Sequence, residues 1–525
     1  MYGVMIDCSR NAVMTVGAVK KFAKILAQMG YDTLMLYTED TYEVDGEPYF
    51  GYLRGRYSKE ELKDLDQYCN SIGIELVPCI QMLAHLNCMF KWNAYQDVKD
   101  CDDILLIGEE KTYQLLDRMF STLSQCFSTK KIHIGMDEAY KVGLGTYLER
   151  NGYEKRFDII NRHLHKVCEM AKNYDYEPMI WSDMFCKLAL QTEDYYAGGL
   201  KDLDKIKEQA ALPENISLVY WDYYSKDYDR YVNMIKLNQA FGKKVYFAGG
   251  AWTWKGFAPD NVFSMEATAP AMKACKDYGV DGWFITMWGD DGHECSNFAI
   301  LPALMYSIEV AKGNEDMDDI KSKFASIMGA DFDSFLLLDK LDEIGGMYGG
   351  NTSKYLFYND PFMGINDFRV GEKNNSYYEK LAEELAQAAG KGEYQVIFDM
   401  YEALCRVLSV KAELGIRTRK AYQAGDKDEL KALVSDYEEA IRLVKTFHKK
   451  FRTSWMWEKK PHGFDVQDLR IGGVIQRLDS CKDRLLEYID GEIELIPELE
   501  EELLPSYCGN VWSRLVTANV ISHTL

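Results

Sequence analysis

From its first residues to about Gly313 the chain repeats one unit eight times: a short, β-rich apolar run followed by an amphipathic helical stretch. The runs are "GVMID" from Gly3, "DTLMLYTED" from Asp32, "IELVPCIQM" from Ile74, "KIHIGMDE" from Lys131, "EPMIWSDMF" from Glu177, "ISLVYWDYY" from Ile216, "KVYFAGGAW" from Lys244 and "DGWFITMWGD" from Asp281. Strands that are apolar almost throughout are buried on both faces, as in a parallel sheet covered by helices. Eight of them alternating with helices predict an α/β fold, a (β/α)8 TIM barrel over 1–313, with a doubly wound open sheet as the competing architecture. Between the runs, Ser58 and Glu61 stand at capping-box spacing and Gly73 can close that helix. Pro270 should kink or divide the helix that contains it.

Beyond residue 313 the strand pattern stops. Long polar-apolar stretches beginning near Asn374, Gln395, Lys427 and Val466 predict an all-helical C-terminal domain over 314–525. The segment "GGMYGGNTSKYLFYNDPFMG" is expected to be an irregular connection.

A formal charge of −22 argues against a nucleic-acid partner, which would need clustered Lys and Arg. No apolar run is long enough to cross a bilayer, so no membrane role is expected. The 13 cysteines show no CxxC and no regular spacing, so neither a disulfide framework nor a zinc site is signalled. With a start, "MYGVMIDCSR", unlike a secretory signal, these features predict a cytoplasmic protein; a homo-oligomer is allowed.

In a barrel of this kind chemistry sits where the strands end, so the residues at those ends are informative. They are Asp7 and Arg10; Glu39 and Asp40; His85; Asp137 and Glu138; Trp181 and Asp183; Trp221 with Tyr223 and Tyr224; Trp252 and Trp254; and Trp288 with Asp290 and Glu294. Five of the ten tryptophans thus fall at one expected rim, among acids, an Arg and a His. Singly, each Trp reads as packing; together they suit a carbohydrate, whose C–H faces stack on aromatic rings while its hydroxyls bond to charged groups.

Asp137 and Glu138 are adjacent, and neighbours on an extended strand point to opposite faces. Both can reach one ligand only if the backbone turns there. Ordinary glycosidases draw two carboxylates from separate strands, so an adjacent pair suggests another division of labour: one acid protonates a leaving group while its neighbour holds a group of the substrate. The rival enzyme reading is a metal-dependent barrel hydrolase using His85, His133, Asp137 and Glu138. The chain has only eight histidines, and those of "HLH" at 163–165 face different ways on a helix, so no metal or other cofactor is expected. A rival from another class is a catalytically inactive sugar-binding module that recruits partners.

"HIGMDE" is similar to the His-x-Gly-Gly-Asp-Glu signature of glycoside hydrolase family 20, the β-N-acetylhexosaminidases, with Met136 at the second Gly. "MIDCSR" and "MWGDDGHE" resemble that family's first-strand and last-strand segments, and the likeness runs over about residues 1–313. "HIGMDEAYKVGLGTYLERNG" looks closer to the branch of hexosaminidase D and related bacterial enzymes, in which the barrel comes first and the C-terminal region is helical. The strand-seven segment "FAGGAWTWKG" departs from the Tyr-x-Asp pattern of other members.

The resemblance implies an exo-acting, retaining β-N-acetylhexosaminidase. Terminal β-linked GlcNAc or GalNAc of glycans would be released when the sugar's own acetamide attacks C1 to form an oxazolinium. It implies Glu138 as the general acid, then base, and Asp137 as the acceptor of the acetamido N–H. Tyr223, or else Tyr224, would bond the acetamido oxygen; Trp181, Trp221 and Trp252 would wall the acetamide, and Trp288 would stack beneath the ring. Arg10 would hold O3 and O4, Asp290 or Glu294 would take O4 and O6, and His85 would sit between Glu138 and Asp40 or Glu39.

Overall fold

The computed structural model of the chain describes residues 1–190, 196, 212–344, 351–371, 373–388 and 390–504. By internal packing it falls into two compact units. The first comprises Met1–Ala251, Phe263–Trp288 and Ala303–Ile320; the second comprises Trp252–Val262, Gly289–Pro302 and Lys321–Leu525. Residue 313 thus lies within the last segment of the first unit, and two earlier segments belong to the second.

The first unit is built on a closed parallel barrel, as its strand pattern requires. Its strands are β1 (Tyr2–Asp7), β2 (Thr33–Tyr37), β3 (Glu75–Cys79), β6 (Lys131–His133), β7 (Glu177–Trp181), β8 (Ser217–Trp221), β9 (Val245–Gly250) and β10 (Gly282–Met287), ordered β1-β10-β9-β8-β7-β6-β3-β2 around the ring. Two shorter strands that the apolar runs did not signal, β4 (Lys99–Cys101) and β5 (Ile104–Leu105), form an antiparallel hairpin after β3. Alternate side chains of the barrel strands, Met5, Met35, Tyr37, Val77, Cys79, Met179, Trp181, Val219, Tyr246, Ala248 and Phe284, fill the interior. The barrel is a packed core and not a pore.

Helices cover the strands. Ser58 and Glu61 make the expected reciprocal cap of Lys59–Ser71, and Gly73 follows at φ +79°. Asn261–Asp277 continues through Pro270, which removes one donor without ending the helix.

"KIHIGMDE" departs from the expected strand. β6 stops at His133 because Gly135, Met136 and Glu138 take φ of +68°, +69° and +51°, outside the extended region. The backbone therefore turns at the acid pair.

The second unit is helical: Asn374–Gln387, Gln395–Lys411, Leu414–Gln423, Lys427–Glu458 and Phe464–Asp490. The expected connection at 345–364 lies outside the described residues over 345–350, and beyond them holds a buried helix, Thr352–Tyr358. The unit's two early segments are fastened to these helices. Phe257 packs on Phe357, Phe447 and Phe451, Tyr401 donates to the Phe257 carbonyl, and the Glu458 carboxylate accepts from Ser296 Oγ and Asn297 N–H. Among the described residues no helix is long and apolar enough to cross a membrane.

Candidate active site

Gly135 begins the turn that presents the acids. A Cβ there would come 2.1 Å from Gln81 Oε1 and 2.7 Å from the Ile80 carbonyl, so the close approach and the positive φ both call for glycine. Met136 follows in the same left-handed region, and its N–H donates to Gln81 Oε1 at 3.0 Å. The other end of that amide, Nε2, donates to Asp137 Oδ1 at 2.8 Å and to Tyr37 Oη at 2.9 Å. Gln81 thus ties the turn to the carboxylate, although nothing in "IELVPCIQM" marked it.

His85 is the third member of the group. Its Nε2 lies 3.4 Å from Asp137 Oδ2 and 3.8 Å from Glu138 Oε2, so one atom reaches both acids. Burial works to lower the imidazole pKa, but the charge of the adjacent Asp137 carboxylate prevails and raises it to about 10. The reverse holds for Asp137: burial would raise its pKa, while the His85 cation and the Gln81 amide hold it below the usual carboxylate range. A fixed imidazolium–carboxylate pair results, with the Glu138 side chain, 46% exposed, beside it.

The expected acids of the second strand divide. Glu39 Oε1 accepts from Arg10 Nη1 at 2.6 Å and from Tyr37 Oη at 3.1 Å, while Asp40 Oδ1 receives Arg54 Nε at 2.8 Å. Burial raises the Glu39 carboxyl despite the neighbouring Arg10. Asp7, last in β1, accepts Ser9 N–H and Oγ and lies 3.9 Å from Arg10 Nε. Hydrogen bonds and ion pairs therefore run without a break from Arg10 through Glu39, Tyr37, Gln81 and Asp137 to His85.

Aromatic rings line the next strand ends. Trp221 and Tyr223, two residues apart, stack with centroids 5.2 Å apart at 21°. Tyr223 is buried and stands edge-on to Trp288 at 6.5 Å, whereas Tyr224 is 42% exposed. Trp288 lies 4.9 Å from Tyr37 and 6.1 Å from Trp181, which is itself buried against His133 at 4.3 Å. Trp181, Trp221, Tyr223 and Trp288 thus form one aromatic group in the first unit.

His133 belongs to the core: its Nδ1 accepts the Gly135 N–H at 3.1 Å, and burial lowers its pKa to about 3. No three His, Cys, Asp or Glu side chains among the described residues converge to hold a metal ion.

Trp252, Asp290 and Glu294 lie in the second unit. There Lys255 Nζ sits over the Trp252 ring at 4.9 Å, Asp290 is exposed, and the buried Glu294 carboxylate is ion-paired to Lys354 at 3.0 Å and Arg470 at 2.9 Å.

Fold and site together define an α/β-barrel protein with an Asp–Glu–His cluster at the ends of its strands. A model of the glycosyl hydrolase family 20 catalytic domain matches residues 2–277, and one of the glycoside hydrolase 20C C-terminal domain matches residues 333–514; the chain belongs to glycosyl hydrolase family 20. Among curated proteins it is similar to hexosaminidase D of Homo sapiens, at 21% identity over 227 residues, covering 41% of this chain and 43% of that protein. It is also similar to hexosaminidase D of Bos taurus, at 22% over 245 residues, covering 44% and 63%. The match thus spans less than two thirds of either relative. Among solved structures, a β-N-acetylhexosaminidase of Bacteroides fragilis is 18% identical, with a TM-score of 0.47 over 62% of this chain and 68% of that one.

Proposed function

We propose that this chain is an exo-acting β-N-acetylhexosaminidase that removes terminal β-linked GlcNAc or GalNAc from glycans with retention of configuration, the substrate's acetamide serving as nucleophile. One observation carries the reading: His85 Nε2 lies within 4 Å of both Asp137 and Glu138, so the turn at 135–138 brings two sequence neighbours to one place.

Within that group the roles follow from what each carboxylate touches. Glu138 is the more exposed and is the proton donor to the glycosidic oxygen, then the base toward water. Asp137, fixed by Gln81 and paired with His85, accepts the acetamido N–H and offsets the positive charge that grows on the oxazolinium. Tyr223 is the hydroxyl of choice for the acetamido oxygen, because its ring is stacked on Trp221 and buried while Tyr224 faces solvent. Trp181 and Trp221 wall the acetamide, Trp288 stacks beneath the ring, and Arg10, anchored on Glu39, takes the O3/O4 edge. The parts given to Trp252, Asp290 and Glu294 stay with the family resemblance that suggested them.

The test is release of 4-nitrophenol from the 4-nitrophenyl β-N-acetyl-glucosaminide and -galactosaminide, with the first-formed anomer read by proton NMR. A β product supports retention; an α product overturns the mechanism, and no release from either glycoside overturns the activity.

A further inference from the structure

We infer that Lys187 is a positioning residue for the Glu138 carboxyl, acting through Tyr140; the inference rests on the acid–base reading above. Lys187 lies on the helix Asp183–Leu190 that follows β7, a place where a lysine would ordinarily reach solvent. Instead it is buried, with its Nζ 2.6 Å from Tyr140 Oη. An ammonium can only donate, so the Tyr140 oxygen accepts, and the phenol's own hydrogen is left to point elsewhere. Glu138 Oε1 lies 3.4 Å from that oxygen.

The Tyr140 backbone is fixed to match. Its N–H donates to the Glu138 carbonyl at 2.7 Å, and its own carbonyl accepts from Arg156. The phenol therefore moves with the turn that carries the acid. A hydrogen bond from Tyr140, polarised by the ammonium behind it, is stronger to a carboxylate than to a neutral carboxyl group. The carboxylate is the state reached as the proton passes to the leaving group, so the contact strengthens along the reaction coordinate.

The nearest acid on the same helix is Asp183, whose Oδ2 lies 4.0 Å from Lys187 Nζ. Burial, with the charge of Asp137 adding to it, raises the Asp183 carboxyl to about 7. The charged and titratable groups around the acid are then His85 and Asp137 on one side and Tyr140, Lys187 and Asp183 on the other.

Lys187→Met and Tyr140→Phe, with Lys187→Arg as the conservative control, test the inference by pH–rate profiles on two glycosides of differing leaving group. Each of the first two should lower kcat/KM on the phenyl β-N-acetylglucosaminide by about tenfold, a fraction of a full acid catalyst's contribution, and leave the 2,4-dinitrophenyl glycoside nearly unaffected. Removing a cation near the acid should move the basic limb of the profile to higher pH, the double variant should add little to either single one, and Lys187→Arg should restore the wild-type profile. Equal losses on both glycosides with an unmoved limb would mean a merely structural lysine and overturn the inference while the proposed activity stands. A wild-type protein inactive on both glycosides would overturn the activity itself.

Discussion

Gln81 Nε2 donates to Asp137 Oδ1 at 2.8 Å while Oε1 of the same side chain accepts the Met136 N–H at 3.0 Å. One amide, from the segment after β3, therefore fixes both the turn and the carboxylate that the turn presents.

Gln81→Met keeps the length of the side chain and removes both bonds together with the one to Tyr37 Oη. It should lower kcat by about 10²-fold, the scale of a 1 Å misplacement of a reacting group, with a much smaller change in KM. Steady-state kinetics on the 4-nitrophenyl glycoside decide this; an unchanged kcat would remove Gln81 from the machinery.

Glu138→Gln should lower turnover by about 10²–10⁴-fold, the usual contribution of a general acid–base group. Calorimetric titration should still show the released sugar binding. Turnover at the wild-type rate would sink the assignment of the proton donor.

An acetamide nucleophile predicts a particular inhibitor. A thiazoline fused to the sugar, which copies the oxazolinium, should bind at least about 10²-fold more tightly than N-acetylglucosamine, as transition-state analogues do. Equal inhibition constants would argue for a nucleophile supplied by the protein.

The His85–Asp137 pair makes stability depend on pH. The imidazole is raised in the folded chain from 6.5 to about 10, so its contribution is complete below about pH 6.5 and is lost as pH rises toward 10. Denaturant unfolding should show His85→Gln approaching wild-type stability over that window. A gap between the two proteins that stays constant from pH 6 to 10 would contradict the ion pair.

Gly135→Ala should destabilise the fold by at least about 1–2 kcal/mol from left-handed strain alone, before the encounter with Gln81 and the Ile80 carbonyl is counted. Thermal melts measure it; a neutral substitution would mean that the turn relaxes freely.

The barrel could be read from the chain because burial on both faces leaves its strands as plain apolar runs, and the Ser58–Glu61 cap because both partners are local. Asp137 and Glu138 stood out as acids ending such a run. Gln81 did not, since one glutamine after an apolar strand is unremarkable until Gly135 reverses the chain against it. Lys187 was hidden for a related reason: on a helix a lysine reads as solvated, and only the fold brings Tyr140 to it. His85 was expected between Glu138 and Asp40 or Glu39; its Nε2 instead lies 3.4 Å from Asp137 and 3.8 Å from Glu138, a placement that depends on the same reversal. The membership of Trp252–Val262 and Gly289–Pro302 in the second unit carries no local pattern, because their partners lie far along the chain.

That last arrangement bears on synthesis. Phe257 and Ser296 leave the ribosome long before Phe447 and Glu458, the residues they finally pack against and bond to. Contacts so distant in sequence form late. Until the helix Lys427–Glu458 has been made, Phe257 and Ser296 lack these partners, so their two segments can reach their final packing only after most of the chain has been synthesised.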